Sequence, residues 1–313
     1  MLIPHMLYEK RNAGTMVRIM TAAPTLAAAL STSISLACNA LGRSSISLRR
    51  PSARYQYAAR MTAAFSTSGE QPNHLLSIPA SGQGGSLRHS YSALRHGQSL
   101  ANVAKIISSD PKISTVEHGL SDFGHEQARE AGKLFARQFH AGDAGDNGSD
   151  KYSGVAIFSS DFKRARETAQ HMADACAEAS IPVYKDGVVL ETKLRERNFG
   201  NLNGGSDERY QDVWDIDIKD PSHNEFDVES VYSVVERTTK LVLDIDEELS
   251  SASQGEEKWK CILVAHGDVL QILQTGFKKM DGSLHRTLPH LETATVRELK
   301  VADAPLCGYH AME

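Results

Sequence analysis

"SYSALRHGQSLAN", residues 90–102, begins as a short strand-like run and then sets Arg95, His96 and Gly97 side by side. The guanidinium is a planar fork that matches the oxygens of an anion two at a time. The imidazole can act as a nucleophile or carry a proton near neutral pH. A glycine between them and the following chain lets the backbone turn sharply or approach an anion closely.

Downstream, the pattern alternates in type. "DFGHEQAREAGKLFARQF" carries Phe123, Ala128, Ala131, Leu134, Phe135 and Phe139 at helical spacing, "VAIFSS" is a wholly apolar strand, and "RARETAQHMADACAEA" is a helix. An irregular middle follows, then a helix through "VESVYSVVERTTKLVLDIDEEL", the strand "CILVAH", the helix "VLQILQTGF" and a last strand in "TATVRELKV". Strand followed by helix, several times over, predicts an α/β fold: a three-layer α/β/α sandwich around a mostly parallel sheet. Such sheets place their chemistry beyond the carboxyl ends of the strands. Three strand ends here deliver Arg95, His96 and Gly97, then Ser159, Ser160 and Asp161 with Arg164 just inside the next helix, then His266 and Gly267. Taken singly, each has a plain structural explanation: a strand-end histidine is usually a satisfied boundary residue, and Arg164 would pair with Glu167 or Asp161 on a helix surface. Independent strand ends supplying chemically matched groups point instead to a phosphoryl site, with one imidazole attacking phosphorus and a second sharing the charge on its oxygens.

Charge and composition bound the rest. The 313 residues carry a net charge of −5, yet the first 69 hold eight basic residues and one acid, Glu9. The remainder has 26 basic residues against 38 acidic, a net of −12, which excludes a general nucleic-acid binder because phosphate-backbone affinity needs clustered Lys and Arg. The four cysteines, Cys38, Cys176, Cys261 and Cys307, lack metal or disulfide spacing. The longest uncharged run, Ile19 to Gly42, is mostly Ala, Ser and Thr, too weakly apolar for a stable membrane span. Residues 1–69 have the basic, acid-poor composition of an organelle transit segment, mitochondrial or plastid, with a secretory signal and a disordered tail on a cytoplasmic protein as alternatives. Residues 70–85 read as a Pro/Gly/Ser linker, 86–305 as the domain and 306–313 as a tail.

Four segments in order carry a family resemblance. "RHGQSLAN" resembles the signature of the histidine phosphatase superfamily, also called phosphoglycerate mutase-like. "FSSDFKRARETA", "LRERNFGNLNG" and "LVAHGDVLQ" resemble its later segments, and "GLSDFGHEQAREAG" its first helix start, so that the similarity covers roughly Leu87 to Val301. The resemblance implies a phosphohistidine on His96, phosphoryl oxygens cradled by Arg95, Arg164 and His266, and Asn102 and Gly267 beside them in the substrate pocket. It implies Glu196 as the proton donor, which needs a raised pKa, while His96 must be neutral with its other nitrogen fixed by a hydrogen bond. No metal and no cofactor are implied, and the implied partner is a small phosphorylated substrate.

Two departures from the family pattern stand out. Arg195 and Arg197 flank Glu196, either as solvated charges or as ligands for further anionic groups. Asp268 follows the second His-Gly where the family often has a small or uncharged residue; a carboxylate facing the pocket would oppose phosphate, so only its backbone N–H is expected to point inward. Specificity is expected in the loops "AKIISSDPKISTVEH" and "GGSDERYQDVWDIDIKDPSHNEFD". The second is read as a short acidic loop bearing Asp207, Glu208, Asp212, Asp215, Asp217, Asp220 and Glu225, a poor clamp for a bisphosphorylated cofactor. Hydrolysis is therefore expected over the alternative of a cofactor-dependent phosphoglycerate mutase. A phospho-ligand binding module without turnover is the reading from another class, and it has no need of a nucleophile or an acid. Oligomeric state has no signal in the sequence.

Overall fold

The wholly apolar strands and the helices between them assemble into a three-layer fold in which the sheet is the middle layer. The computed structural model describes residues 72–145, 152–252 and 257–304, with side chains 142–145 excepted. The transit-like segment and the tail lie outside these residues.

Five strands, β1 (Ser90–Arg95), β2 (Gly154–Ser159), β3 (Val183–Leu190), β4 (Trp259–Ala265) and β5 (Val296–Leu299), lie in the order β3-β2-β4-β1-β5. All pairings are parallel except β1 with β5. The helices are α1 (Leu100–Ala104), α2 (Pro111–Ser114), α3 (Asp122–Gly145), α4 (Lys163–Glu178), α5 (Tyr210–Asp217), α6 (Val231–Ala252) and α7 (Gly267–Phe277). Alternation along the strands divides the core in two. Val155, Ile157, Ile262 and Val264 pack with Phe135, Phe139 and Met172 of α3 and α4, while Ala156, Phe158, Cys261 and Leu263 pack with Val234, Val242 and Leu273 of α6 and α7. Both central strands are buried on both faces, as parallel sheets require.

Three expectations need correction. β3 was hidden in the irregular middle because Lys185 and Asp186, both at positive φ, interrupt its register against β2 and because it is an edge strand without buried alternation. Phe123 and Leu134, expected on the apolar face of α3, are exposed, whereas Ala128, Phe135 and Phe139 are buried. Residues 72–85 are not a free linker. Leu75 is fully buried in the α6/α7 core, and the Asn73 amide donates to the carbonyl of Gly276 at 3.1 Å.

Gly97 matters for a reason other than the expected turn. Its φ is not positive; a Cβ there would meet the carbonyl oxygen of Gly124 at 2.5 Å, and a Cβ on Gly124 would meet that of Gln98 at 2.0 Å. The two glycines let the start of α3 press directly on the loop after β1.

Leu75→Ala should destabilise the folded protein by about 2–5 kcal/mol, the usual cost of emptying a buried leucine site. Denaturant unfolding of the two proteins measures it; a difference near zero would restore the linker description.

Candidate active site

Backbone hydrogen bonds bring three chain segments to one point. His96 N–H donates to Ala265 O at 3.0 Å and Ser160 N–H to Val264 O at 2.9 Å, so the residues just after β1, β2 and β4 sit side by side. They form the floor of a cavity of about 230 Å³ lined by Arg95, His96, Asn102, Arg164, Glu196 and Gly267, among others. Six of the seven residues singled out from the sequence line it; the seventh, His266, lies against His96, with ring centroids 5.1 Å apart.

His96 is oriented by its own backbone. Its Nδ1 lies 2.7 Å from Gly97 O, and since a carbonyl can only accept, the ring proton is on Nδ1 and Nε2 keeps its lone pair. Arg164 Nε donates to that lone pair at 3.2 Å. Burial, followed by the charges of Arg164 and Arg95, holds the His96 pKa well below its usual value, so the ring is neutral. His266 is buried likewise, and burial, then Arg164, pushes its pKa down. Its Nε2 lies 2.9 Å from Ser160 Oγ; with that hydroxyl donating, the proton resides on Nδ1.

Both arginines are held at their outer nitrogens. Arg164 Nη2 donates to Ser108 O at 2.9 Å, and Arg95 Nη1 to His290 Nε2 at 2.6 Å and to Leu291 O at 3.0 Å. Burial lowers the Arg164 pKa to about 10, which leaves it charged at neutral pH. Arg95 Nε, Arg164 Nη1 and His266 Nδ1 are buried and have no hydrogen-bond partner among the described residues. An orphaned buried donor costs about 1–3 kcal/mol, more for a charged group, so three at one pocket mark a place built for an acceptor.

Glu196 faces the cations across the cavity. Its Oε1 accepts from Arg197 N at 3.0 Å and Val269 N at 3.4 Å. Burial, followed by the charge of Asp268, raises its pKa to about 7, although Arg164 pulls the other way. Asn102 lines the cavity, but its Oδ1 caps α1, accepting from Ser99 N and Ser99 Oγ at 3.0 Å each.

The flanking charges fall elsewhere than expected. Arg197 is fully buried and forks onto Asp217, Nη1 to Oδ2 and Nη2 to Oδ1, both at 2.7 Å. Arg195 is neither free in solvent nor at the cavity; it pairs with Asp161, Nε to Oδ1 at 2.8 Å. Asp268 lines the cavity, and its carboxylate accepts from Trp214 Nε1 at 3.0 Å and Arg197 Nη1 at 3.3 Å. The acidic loop contains α5, and Asp217 within it is not a solvated acid but a buried one. Tyr210 and Trp214, stacked at 5.5 Å on that helix, line the cavity, as do Arg286 and His290 from the segment after α7. Tyr210 and Trp214 lie in the stretch "GGSDERYQDVWDIDIKDPSHNEFD" expected to carry specificity, though neither is singled out within it, whereas Arg286 and His290 lie outside both expected loops.

The match to known proteins agrees with this geometry. A model of the histidine phosphatase superfamily (branch 1) matches residues 92–305, more than half of the chain. The chain belongs to that superfamily. The 2,3-bisphosphoglycerate-dependent phosphoglycerate mutase of Bartonella quintana (strain Toulouse) is 27% identical over 126 residues, covering 39% of this chain. The chain spans about half of that relative's length, 48%. Two solved mycobacterial structures, mycobacterial hydrolases 1 and 2, share the fold at 21% identity each. The first has a TM-score of 0.52 and covers 67% of this chain and 88% of its own; the second has 0.51, with 68% and 82%.

Arg197→Ala should cost about 3–5 kcal/mol, because it leaves Asp217 buried without its guanidinium. Double replacement with Asp217→Asn should recover part of that loss. Additive losses in the double-mutant unfolding cycle would contradict the pairing.

Proposed function

We propose that this histidine phosphatase hydrolyses a small phosphomonoester through a phosphohistidine on His96. The three unpaired buried donors around the His96 lone pair carry the reading. The phosphoryl oxygens take the N–H groups of Arg95, Arg164 and His266, with the Asn102 amide and the backbone at Gly267 beside them. In releasing its hold on Nε2, Arg164 frees the lone pair for attack. The Nε2–P bond forms as the bond from phosphorus to the leaving oxygen breaks, and that oxygen takes the proton of Glu196. Water then attacks phosphorus and gives its proton to the Glu196 carboxylate, while the N–P electron pair returns to Nε2. The arginines and His266 supply the positive field and donors that a metal would otherwise bring, so the step is proposed as metal-independent.

The cavity suits a small leaving group, since about 230 Å³ lies below the 300 Å³ at which typical ligand pockets begin. Release of phosphate is favoured over return to substrate because Asp207 lines the cavity while Glu208, Asp212, Asp215, Asp220 and Glu225 stand exposed nearby, opposing a second phosphate. The composition of residues 1–69 supports import into an organelle as part of the same proposal.

His96→Ala should abolish phosphate release and acid-labile, base-stable labelling by a phosphoryl donor. Near-normal turnover in that variant would remove the mechanism, and isomerisation of 3-phosphoglycerate outrunning phosphate release in the parent protein would replace hydrolase by mutase.

The pH dependence follows from the two perturbed groups. Glu196 must start protonated, and its pKa is about 7, so kcat/KM for alkyl phosphates should fall as pH rises through about 7. His96 must be neutral and its pKa is depressed, so the acid limb should lie below the ordinary histidine range. A profile flat from pH 6 to pH 9 with a poor leaving group would contradict the acid role of Glu196.

A further inference from the structure

Asp268 is a carboxylate in a phosphate pocket, and the groups around it explain why it is tolerated. It lies at the first turn of α7, which also gives Glu196 the N–H of Val269. Two carboxyls thus share one buried corner, and they are unequally supplied. Asp268 receives the Trp214 indole N–H from α5 and the Arg197 guanidinium, with His285 Nε2 at 3.7 Å and Arg286 Nη1 at 4.0 Å. Arg286 sits over the Trp214 ring, its guanidinium carbon 3.6 Å from the centroid, and also donates to the Gln271 side chain. Glu196 has two backbone N–H groups on a single oxygen.

When two carboxyls cannot both ionise cheaply, the better-solvated one takes the charge and the other keeps its proton. We propose that Asp268 is a positioning residue for proton transfer, its carboxylate fixed by Trp214 and Arg197 so that the neighbouring Glu196 stays protonated and ready to donate. This rests on Glu196 being the acid of the reaction. The groups facing Glu196 from other elements work against its proton: Arg164 on α4 and Arg95 at the end of β1 both favour the carboxylate, and Tyr210 on α5 adds a neutral phenol whose ionisation burial suppresses. Without an opposing negative charge these cations would empty the acid of its proton. Asp268 itself is driven towards ionisation: burial resists its charge, but His285, Arg197 and Arg286 together bring its pKa below the ordinary value. His285 and His290, whose own pKa values burial pushes down, complete the set of titratable neighbours.

The arrangement also ties the acid to α5. Trp214 holds Asp268 from the helix whose Asp217 anchors Arg197, and Arg197 supplies an N–H to Glu196. A helix over the pocket, a carboxylate beside it and the acid are joined by consecutive hydrogen bonds.

The test compares pH profiles of kcat/KM for an alkyl phosphate and an aryl phosphate in the full-length protein, in Asp268→Asn, which keeps the shape, and in Asp268→Ser, which is small and uncharged. Thermal melts establish that each variant is folded, and either variant suffices. The alkaline limb for the alkyl substrate should move down by about one pH unit. The loss at pH 7.5 should then exceed that at pH 5.5 by roughly sixfold, with the aryl substrate, which needs little protonation on leaving, affected less at both. Asp268→Glu, which restores the charge, should return the limb towards its original place. An unmoved limb, or one uniform loss at both pH values and for both substrates, would assign Asp268 a structural role and overturn the proposal. Glu196→Gln separates this failure from that of the underlying reading: if Glu196→Gln removes the limb while both Asp268 variants leave it in place, only the present inference falls, whereas full alkyl-phosphate activity in Glu196→Gln sinks both.

Discussion

Two guanidinium groups and two imidazoles share one buried pocket, and their mutual repulsion is the constraint that the surrounding structure answers. Positive charges at close range in a water-poor site raise one another's energy steeply. Burial first, and the neighbouring charges of Arg164 and Arg95 after it, make the imidazoles give up their protons and hold the pKa values of His96 and His266 well below the usual range. That response is what the proposed attack by His96 requires, because only the neutral ring has a lone pair for phosphorus. The arginines cannot discharge; Arg164 is tied by Nη2 to Ser108 O and Arg95 by Nη1 to Leu291 O and His290, which leaves Arg164 Nη1 and Arg95 Nε buried without a partner among the described residues. The guanidinium field that adds to burial in keeping His96 neutral is therefore the field that would hold a phosphoryl group.

Holding such a cluster together falls to the backbone. The hydrogen bonds from His96 N and Ser160 N to β4 fix the heights of three strand ends relative to one another. Side chains then lock the angles: Thr168 Oγ1 accepts from Gly97 N at 3.0 Å and donates to Arg164 O at 2.8 Å, joining the nucleophile loop to the helix that carries Arg164. The Gly97 and Gly124 contact closes the same loop from the other side with no side chain between. Nothing in this scaffold depends on a flexible loop tip, which is how a site can keep unpaired donors in place without collapsing onto them.

The parts of the molecule legible in the sequence are those that a short-range rule determines. Apolar runs and 3.6-residue periodicity reveal β1, β2, β4 and the long helices, and the strand-end rule brings Arg95, His96, Arg164 and His266 together. What stayed hidden depends on tertiary neighbours. The charge of Arg197 reads as solvated in "LRERNFG" because its counter-ion, Asp217, is twenty residues away on a helix with no sustained apolar stripe. Leu75 lies in a Pro/Gly/Ser-rich stretch whose composition describes a linker, and only the groove between α6 and α7 makes it core. Tyr210 and Trp214 belong to a segment expected over the pocket but without the periodicity that would single them out, and Arg286 and His290 come from a segment for which sequence offers residue types but no address.

A carboxylate beside a phosphate pocket, as at Asp268, needs partners that a sequence does not display. A carboxylate next to a phosphate site is repelled by its ligand, and a sequence shows the ligand side of that balance alone. The structure adds the other side, an indole N–H and a guanidinium that hold the charge at the pocket wall. One negative charge there reduces the affinity of the pocket for a dianion, yet it also sets against Arg95 and Arg164 the opposing field that Glu196 needs to keep its proton. An enzyme gains rate from interactions that favour the transition state over the bound ground state. A better-protonated acid meets that requirement, because it acts as the leaving oxygen develops its charge, whereas repulsion of the phosphoryl oxygens is felt in both states.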